Sequence, residues 1–299
     1  MIRSFTRRAG VERRDGAAGS VRLARRGMAA AALLAGLGVV AVGCQSVQTT
    51  SSGVVGVTRP QRMSPLVSEA ELRQGAAQAY QQVVAQERQK GNLDVDPALT
   101  ARVRGIVRRL VPATATFRAD APGWPWEVHV IRSNQLNAWV MPGGKIAVYS
   151  GLIERLNLTD DEIAAVIGHE LSHALREHGR ERASEQAGVG LLAGVVSAVT
   201  GQAVTGDLAR MAYGVTVGLP NSRTHEIEAD RMGVEIAARA GYDPRAAVSL
   251  WQKMGRATGG GGGGPDWLST HPSPQNRLAD LASYAQRVMP LYETARSGR

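Results

Sequence analysis

His169-Glu170-Leu171-Ser172-His173 decides how this 299-residue chain is to be read. Two histidines four residues apart stand one turn from each other on one helical face, so both imidazoles can reach one metal ion. Glu170 projects beside them, where it can hold and deprotonate a metal-bound water. Zinc proteases carry this arrangement on a helix. The flanks predict that helix. Thr159-Asp160-Asp161-Glu162 is a capping-box start with acids in the first turn. Ile163, Val166, Ile167 and Leu171 recur at helical spacing. Arg176 and Arg180 fall late, and Gly179 marks a stop. A surface helix with two solvated histidines is the weaker reading of motif and context together.

A catalytic zinc usually takes three protein ligands and a water. The extended H-E-x-x-H-x-x-G-x-x-H form is excluded, because Leu175 holds its glycine position and Gly179 its third histidine position. On a helix continued to Gly179, His178 falls on the opposite face, towards solvent or a neighbouring helix. The third ligand must come from elsewhere. Glu226-Ile227-Glu228-Ala229-Asp230 is the best source. Asn221 and Ser222 precede it as caps. Glu226 and Asp230 share a helical face that Gly233 continues. One of these carboxylates could complete the site, and the other could accept the free ring N–H of a ligand histidine and fix its tautomer. A glycine there lets two helices approach closely. Glu228 points elsewhere and is the weaker candidate. Taken alone, such a run reads as an ordinary charged face.

With these residues in hand, the chain resembles the HtpX-like zinc metallopeptidases, a gluzincin group that includes the CaaX prenyl proteases and the mitochondrial Oma-type protease. The resemblance rests on pieces in the same order. Asn137-Ala138-Trp139-Val140-Met141-Pro142-Gly143-Gly144 looks like the family's strand and turn, and Gly151-Leu152-Ile153 follows. The His169 to His173 motif comes next, then Ser222-Arg223-Thr224-His225-Glu226-Ile227-Glu228-Ala229-Asp230, then Ser269-Thr270-His271-Pro272 through Arg277-Leu278. The resemblance implies one Zn2+ per chain held by His169, His173 and Glu226, with Glu170 as general base and Asp230 behind the ligands. It puts His271 near the active site, either stabilising the oxyanion or gating the zinc. It puts Arg277 against the substrate or bracing the site, with Asn137 and Gly143 as further contacts. From spacing alone His271 is only a turn residue before Pro-Ser-Pro. The implied function is a metalloendopeptidase of cell-envelope quality control that cuts unfolded or misassembled outer-membrane proteins. The alternative is a chaperone-like assembly factor that binds such clients in the same groove and cuts rarely; an intact Glu170 favours cleavage.

The N-terminus carries the second signal. Arg22, Arg25 and Arg26 precede an apolar stretch from Met28 to Val42, which ends Ala41-Val42-Gly43-Cys44. This has the form of a signal peptide and is too short for a comfortable membrane span. Ala41-Val42-Gly43-Cys44 resembles a bacterial lipobox, and Cys44 is the only cysteine. Lipidation at Cys44 is expected, and Gln45 rather than Asp after it points to the periplasmic face of a Gram-negative outer membrane. The formal charge is +9, but residues 1–44 hold eight arginines against two acids, so the remainder keeps only +3. Nucleic acid is therefore not an expected partner.

The expected division is a signal peptide over 1–43, a lipidated cysteine and flexible Ser/Thr/Gly-rich tether over 44–64, a single metallopeptidase domain over 65–290, and a tail over 291–299. The fold class is a helix-rich α+β domain of zincin type with a small sheet. Helices are expected over 68–90 and 98–111, and strands near 126–131 and 138–149. The second strand region is a candidate edge that takes the substrate as an added strand. The Gly/Ala-rich stretch 188–204 reads as a packed helix or flap in preference to a membrane hairpin, and six glycines over 259–264 read as flexible.

Overall fold

The computed structural model describes residues 44–186, 208–258, 269–272 and 276–298. The expected signal peptide, the 188–204 stretch and the 259–264 glycines lie outside them. The described part is a helix-rich α+β unit, as the sequence predicts. Short strands β1 (Gln45–Val47) and β2 (Gln61–Met63) pair antiparallel. Helices α1 (Glu69–Gln89) and α2 (Pro97–Leu110) follow, capped by the side chains of Ser68 and Asp96. A three-stranded sheet comes next, built from β3 (Glu127–Ile131), β4 (Ala138–Met141) and β5 (Lys145–Tyr149) in the order β3-β5-β4. β5 runs parallel to β3 and antiparallel to β4, which leaves β4 as the expected edge. Both of its faces are covered. Val130, Ala138, Val140, Ile146 and Val148 join the main core, while Ile131, Trp139, Met141 and Ala147 pack with Leu72, Ala76 and Tyr80 of α1. The period-two alternation of the strands sorts the residues between these two cores.

Pro142-Gly143-Gly144 turns β4 into β5, and both glycines have positive φ (80° and 81°). At Gly144 a Cβ would also stand 2.6 Å from the Trp126 ring, so the tight hairpin requires glycine there. The H-E-x-x-H helix is α3 (Asp160–Leu175), and its capping box forms as predicted: Glu162 N–H donates to Thr159 Oγ1, and Thr159 N–H donates to the Glu162 carboxylate. Helix α4 (Arg223–Arg239) carries the second acidic motif; α5 (Ala246–Thr258) and α6 (Arg277–Ser297) complete the described fold. No described helix is long and apolar enough to cross a membrane.

Three expectations change. Residues 45–64 are not a free tether. Val55, Val57 and Met63 are buried, Val55 N–H donates to the Glu235 carboxylate (3.0 Å), and Arg59 pairs with Glu181 (2.8 Å) and Glu228 (2.7 Å). A Ser/Thr/Gly composition suggests a coil, but a few spaced apolar residues and one well-paired arginine are enough to dock it. The folded unit therefore begins well before residue 65. Nor is there a separate tail from 291, because α6 continues through Pro290 to Ser297 and packs Leu291 and Tyr292 against the core. Finally, α3 stops at Leu175 and not at Gly179: Glu177 takes a left-handed φ of 53°, and a helical segment resumes over 178–186.

Candidate metal centre

α3 and α4 form the closest helix pair around the site, and two glycines make it so. A Cβ on Gly233 would meet His169 N at 2.8 Å and Gly168 C at 3.0 Å, and a Cβ on Gly168 would meet Gly233 O at 2.9 Å. This contact sets the His169 turn directly against the Glu226 to Asp230 face, as the sequence anticipated for Gly233.

The resulting donors form a compact triangle. His169 Nε2 and His173 Nε2 are 3.0 Å apart, and each lies 3.4 Å from a Glu226 carboxylate oxygen. A tetrahedral zinc with bonds of about 2.0–2.1 Å separates its ligand atoms by about 3.3 Å, so these residues fit the metal in chemistry and spacing. All three are buried. His271 adds a fourth donor, its Nδ1 lying 3.0 Å from Glu226 Oε1 and 3.3 Å from His169 Nε2, and the four ligand atoms lie within 4.8 Å of one another. His271 Nε2 also stands 3.4 Å from the Glu170 carboxylate.

The surrounding residues hold these donors in place. Asp230 Oδ1 accepts from His169 Nδ1 at 2.9 Å, and Arg277 Nη2 donates to Asp230 (2.7 Å) and Glu226 (3.2 Å). The Arg277 guanidinium lies 3.3 Å over the Trp251 ring. Its geometry is therefore that of a brace. Glu228 turns away from the triangle to Arg59, Arg176 and His178. Gly143 is confined to the hairpin turn beside Ala174 and Glu177. The structure does not bring Asn137 to the donors; its backbone carbonyl accepts from Tyr149 N–H at the start of β4. Cys44 is half-buried immediately before β1.

Three residues near the site escape the sequence reading. His178 is fully buried against the neighbouring helix α4, one of its two expected surroundings, but its Nδ1 also lies 2.8 Å from His173 Nδ1, a contact that the spacing did not suggest. Asn221 is not the cap of α4, which is Ser222; it turns its amide to His271 (3.3 Å). Arg182 donates to the Val215 carbonyl, and among the described residues its Nη1 has no hydrogen-bond partner, nor does Asn221 Oδ1. Both line a cavity of about 20 Å³ with Glu170, His173, His271 and Val140. That is room for about one water, not a peptide. Asn221 alone carried a signal, its place beside the capping serine.

Electrostatics separate the two histidines. Burial pushes His169 down, but the charges of Glu226 and Asp230 outweigh it and raise its pKa to about 9. Burial holds His173 well below the usual range. Burial would push Glu226 up; the neighbouring His271 and His169 rings hold it well below the ordinary carboxylate range. In the metal-free protein, the His169 cation therefore contributes stability fully present below its unfolded pKa of 6.5 and lost as pH rises through about 9. A metal must displace that proton. Zinc uptake by the metal-free protein is expected to release it, with apparent affinity tightening about tenfold per pH unit below pH 9 and levelling above. Zinc titrations at pH 7 to 10 against a competing chelator would check this; an affinity flat across that range would show that His169 carries no proton to displace.

The model of the family described as peptidase family M48 matches residues 97–285. The chain is 37% identical over 179 residues to the mitochondrial metalloendopeptidase OMA1 of Arabidopsis thaliana, across 59% of this chain and 36% of that protein. It is 30% identical over 220 residues to the namesake from Schizosaccharomyces pombe, across 74% and 63%. It is 29% identical over 219 residues to the beta-barrel assembly-enhancing protease of Escherichia coli (strain K12), across 70% and 43%. The chain thus spans less than two thirds of the length of each of these relatives.

Proposed function

The chain belongs to peptidase family M48, and from that membership we propose that it is a zinc metalloendopeptidase, hydrolysing internal peptide bonds with one zinc ion. The observation that carries the reading is the buried triangle of His169, His173 and Glu226 with Glu170 one residue along the same helix. When bound, zinc lowers the pKa of a coordinated water and polarises the scissile carbonyl. Glu170 takes the proton of the attacking water and returns it to the leaving amine. Asp230 fixes the His169 ring through Nδ1, and Arg277 holds Glu226 and Asp230 together. β4, an edge strand beside the cavity, takes the substrate backbone as an added strand.

His271 occupies space that the reaction needs. Its ring lies between Glu226 and Glu170, and the cavity there is too small for a peptide. In this reading His271 closes the resting site and withdraws to admit substrate, where its Nε2–H can face the oxyanion.

The substrates proposed are unfolded or misassembled outer-membrane proteins. The support is the named role of the beta-barrel assembly-enhancing relatives together with the leader sequence. The proposed location is the periplasmic face of the outer membrane, anchored by lipid on Cys44. Cys44→Ser is expected to move the protein from the membrane fraction to the soluble fraction; an unchanged distribution in cells would remove the anchor from the proposal.

The protease reading is tested by casein cleavage before and after chelation. Removing the metal is expected to abolish cleavage, and stoichiometric zinc to restore it. Cleavage that survives in fully metal-free protein would overturn the reading.

A further inference from the structure

Among the described residues, no carboxylate partners His173 at its free ring nitrogen. His169 has one, Asp230. Behind His173 stands a second imidazole, His178, whose Nδ1 is 2.8 Å from His173 Nδ1. The other nitrogen of His178 is 3.0 Å from Glu228 Oε2. Glu228 is itself held by Arg176 (3.2 Å) and by Arg59 (2.7 Å) from the N-terminal strand segment. His178 is fully buried and its ring stacks on His225, 4.2 Å between centroids and 14° from parallel. The ring therefore has little freedom to turn away.

This chain of contacts admits one proton arrangement compatible with a metal. His173 faces the donor triangle through Nε2, which must be free of a proton to ligate. Its Nδ1 then carries the hydrogen and donates to His178 Nδ1. His178 must in turn carry its hydrogen on Nε2 and donate to the Glu228 carboxylate. The reverse direction, with His178 Nδ1–H donating, would leave the neutral His173 ring protonated on Nε2 and unable to bind. The Glu228 oxygens already accept from the Arg176 and Arg59 guanidinium groups, and the same carboxylate faces His178 Nε2 as an acceptor. The direction of both hydrogen bonds is thus set from the carboxylate end.

We infer that His178, backed by Glu228, is a positioning residue for ligand His173: it accepts the His173 Nδ1–H and so fixes the ring orientation and tautomer that the metal requires. The inference rests on the zinc reading above and extends it to a residue outside the donor set. It also gives the ion pairs of Arg59 a purpose beyond docking the N-terminal segment, because they hold the carboxylate at the far end of the relay.

The test measures zinc affinity of the full chain by chelator competition, with metal-free thermal unfolding as a check on folding. His178→Phe keeps a flat buried ring but accepts nothing, and is expected to weaken zinc binding about tenfold to a hundredfold. His178→Gln can accept from His173 and donate to Glu228, and is expected to recover affinity to within about threefold of wild type. A folded Phe variant with unchanged affinity, or a folded Gln variant as weak as Phe, overturns the inference. The tautomers are read independently in the unaltered zinc-loaded protein by 15N NMR of the imidazole rings. The expected hydrogens are on Nδ1 of His173 and Nε2 of His178; a His178 hydrogen on Nδ1 overturns the inference whatever the variants do. Wild type that takes up no zinc overturns the underlying zinc reading, and this inference with it, which separates that failure from the others.

Discussion

Glu170→Gln is expected to lower the rate of casein cleavage by about 10²- to 10⁴-fold while leaving zinc content at one per chain. That is about 3–5 kcal/mol of transition-state stabilisation. Glutamine keeps the shape of the side chain and can still hold a water, but it cannot take the water's proton. Glu170 lies outside the donor triangle of His169, His173 and Glu226, so the metal has no reason to leave. The measurement is the cleavage rate of the two proteins at matched zinc content. The result also separates the two functions open to the sequence. A factor that holds envelope clients without cutting them has no need of a proton acceptor beside the metal, and its client binding would survive the substitution with no activity to lose. Equal cleavage by both proteins would remove Glu170 as the base.

Gly233→Ala is expected to damage the site more than its single methyl suggests. The three atoms nearest the new Cβ would all be backbone: His169 N at 2.8 Å, Gly168 C at 3.0 Å and His169 Cα at 3.0 Å. No flexible side chain can move aside, so α3 and α4 must separate. Overpacking of this kind costs about 1–3 kcal/mol, while alanine's better helix propensity returns about 1 kcal/mol. The net loss of stability is therefore modest, of order 1 kcal/mol. The larger effect falls on the metal centre. α3 contributes two donors and α4 the third, and Asp230 bonds to His169 across the same interface. Spreading the helices lengthens the two sides of the donor triangle that meet at Glu226 while His169 and His173 keep their spacing on α3, and zinc affinity is expected to fall at least tenfold, of the order seen when partners of ligands are lost. Chelator competition and thermal unfolding on one sample resolve the two effects. An alanine variant that binds zinc like wild type would mean that the helices relax apart without moving Glu226.

Residues 169–173 and 226–233 made the two histidines, the pair of candidate carboxylates and the close helix pair legible, because a helix converts sequence spacing into a face; the choice of Glu226 over Asp230 came from the family resemblance. Thr159 and Glu162 marked the helix start for the same local reason. The far end of that helix was not legible. Glu177 takes a left-handed conformation that non-glycine residues rarely adopt, and nothing in its own chemistry announces the break. Continuing the helix past it turned His178 towards solvent or a neighbouring helix; the ring does meet the neighbouring α4, at Glu228 and His225, but the break also swings it onto His173, which the spacing did not show. The segment 45–64 misled in another way. Its composition is that of a coil, and the partners that fix it, Glu181, Glu228 and Glu235, lie more than a hundred residues away in sequence. Long-range pairing of that sort leaves no local trace.

β1 begins at Gln45, one residue after Cys44, and is paired from its first residue. A free chain of the length expected there would have let the domain range about 25 Å from its point of attachment. Docked as it is, the segment supplies no leash. With a lipid on Cys44, the catalytic body would ride directly on the bilayer surface and sweep only a thin layer above it. Its choice of clients would then depend on which chains linger at that depth, as well as on any sequence it reads.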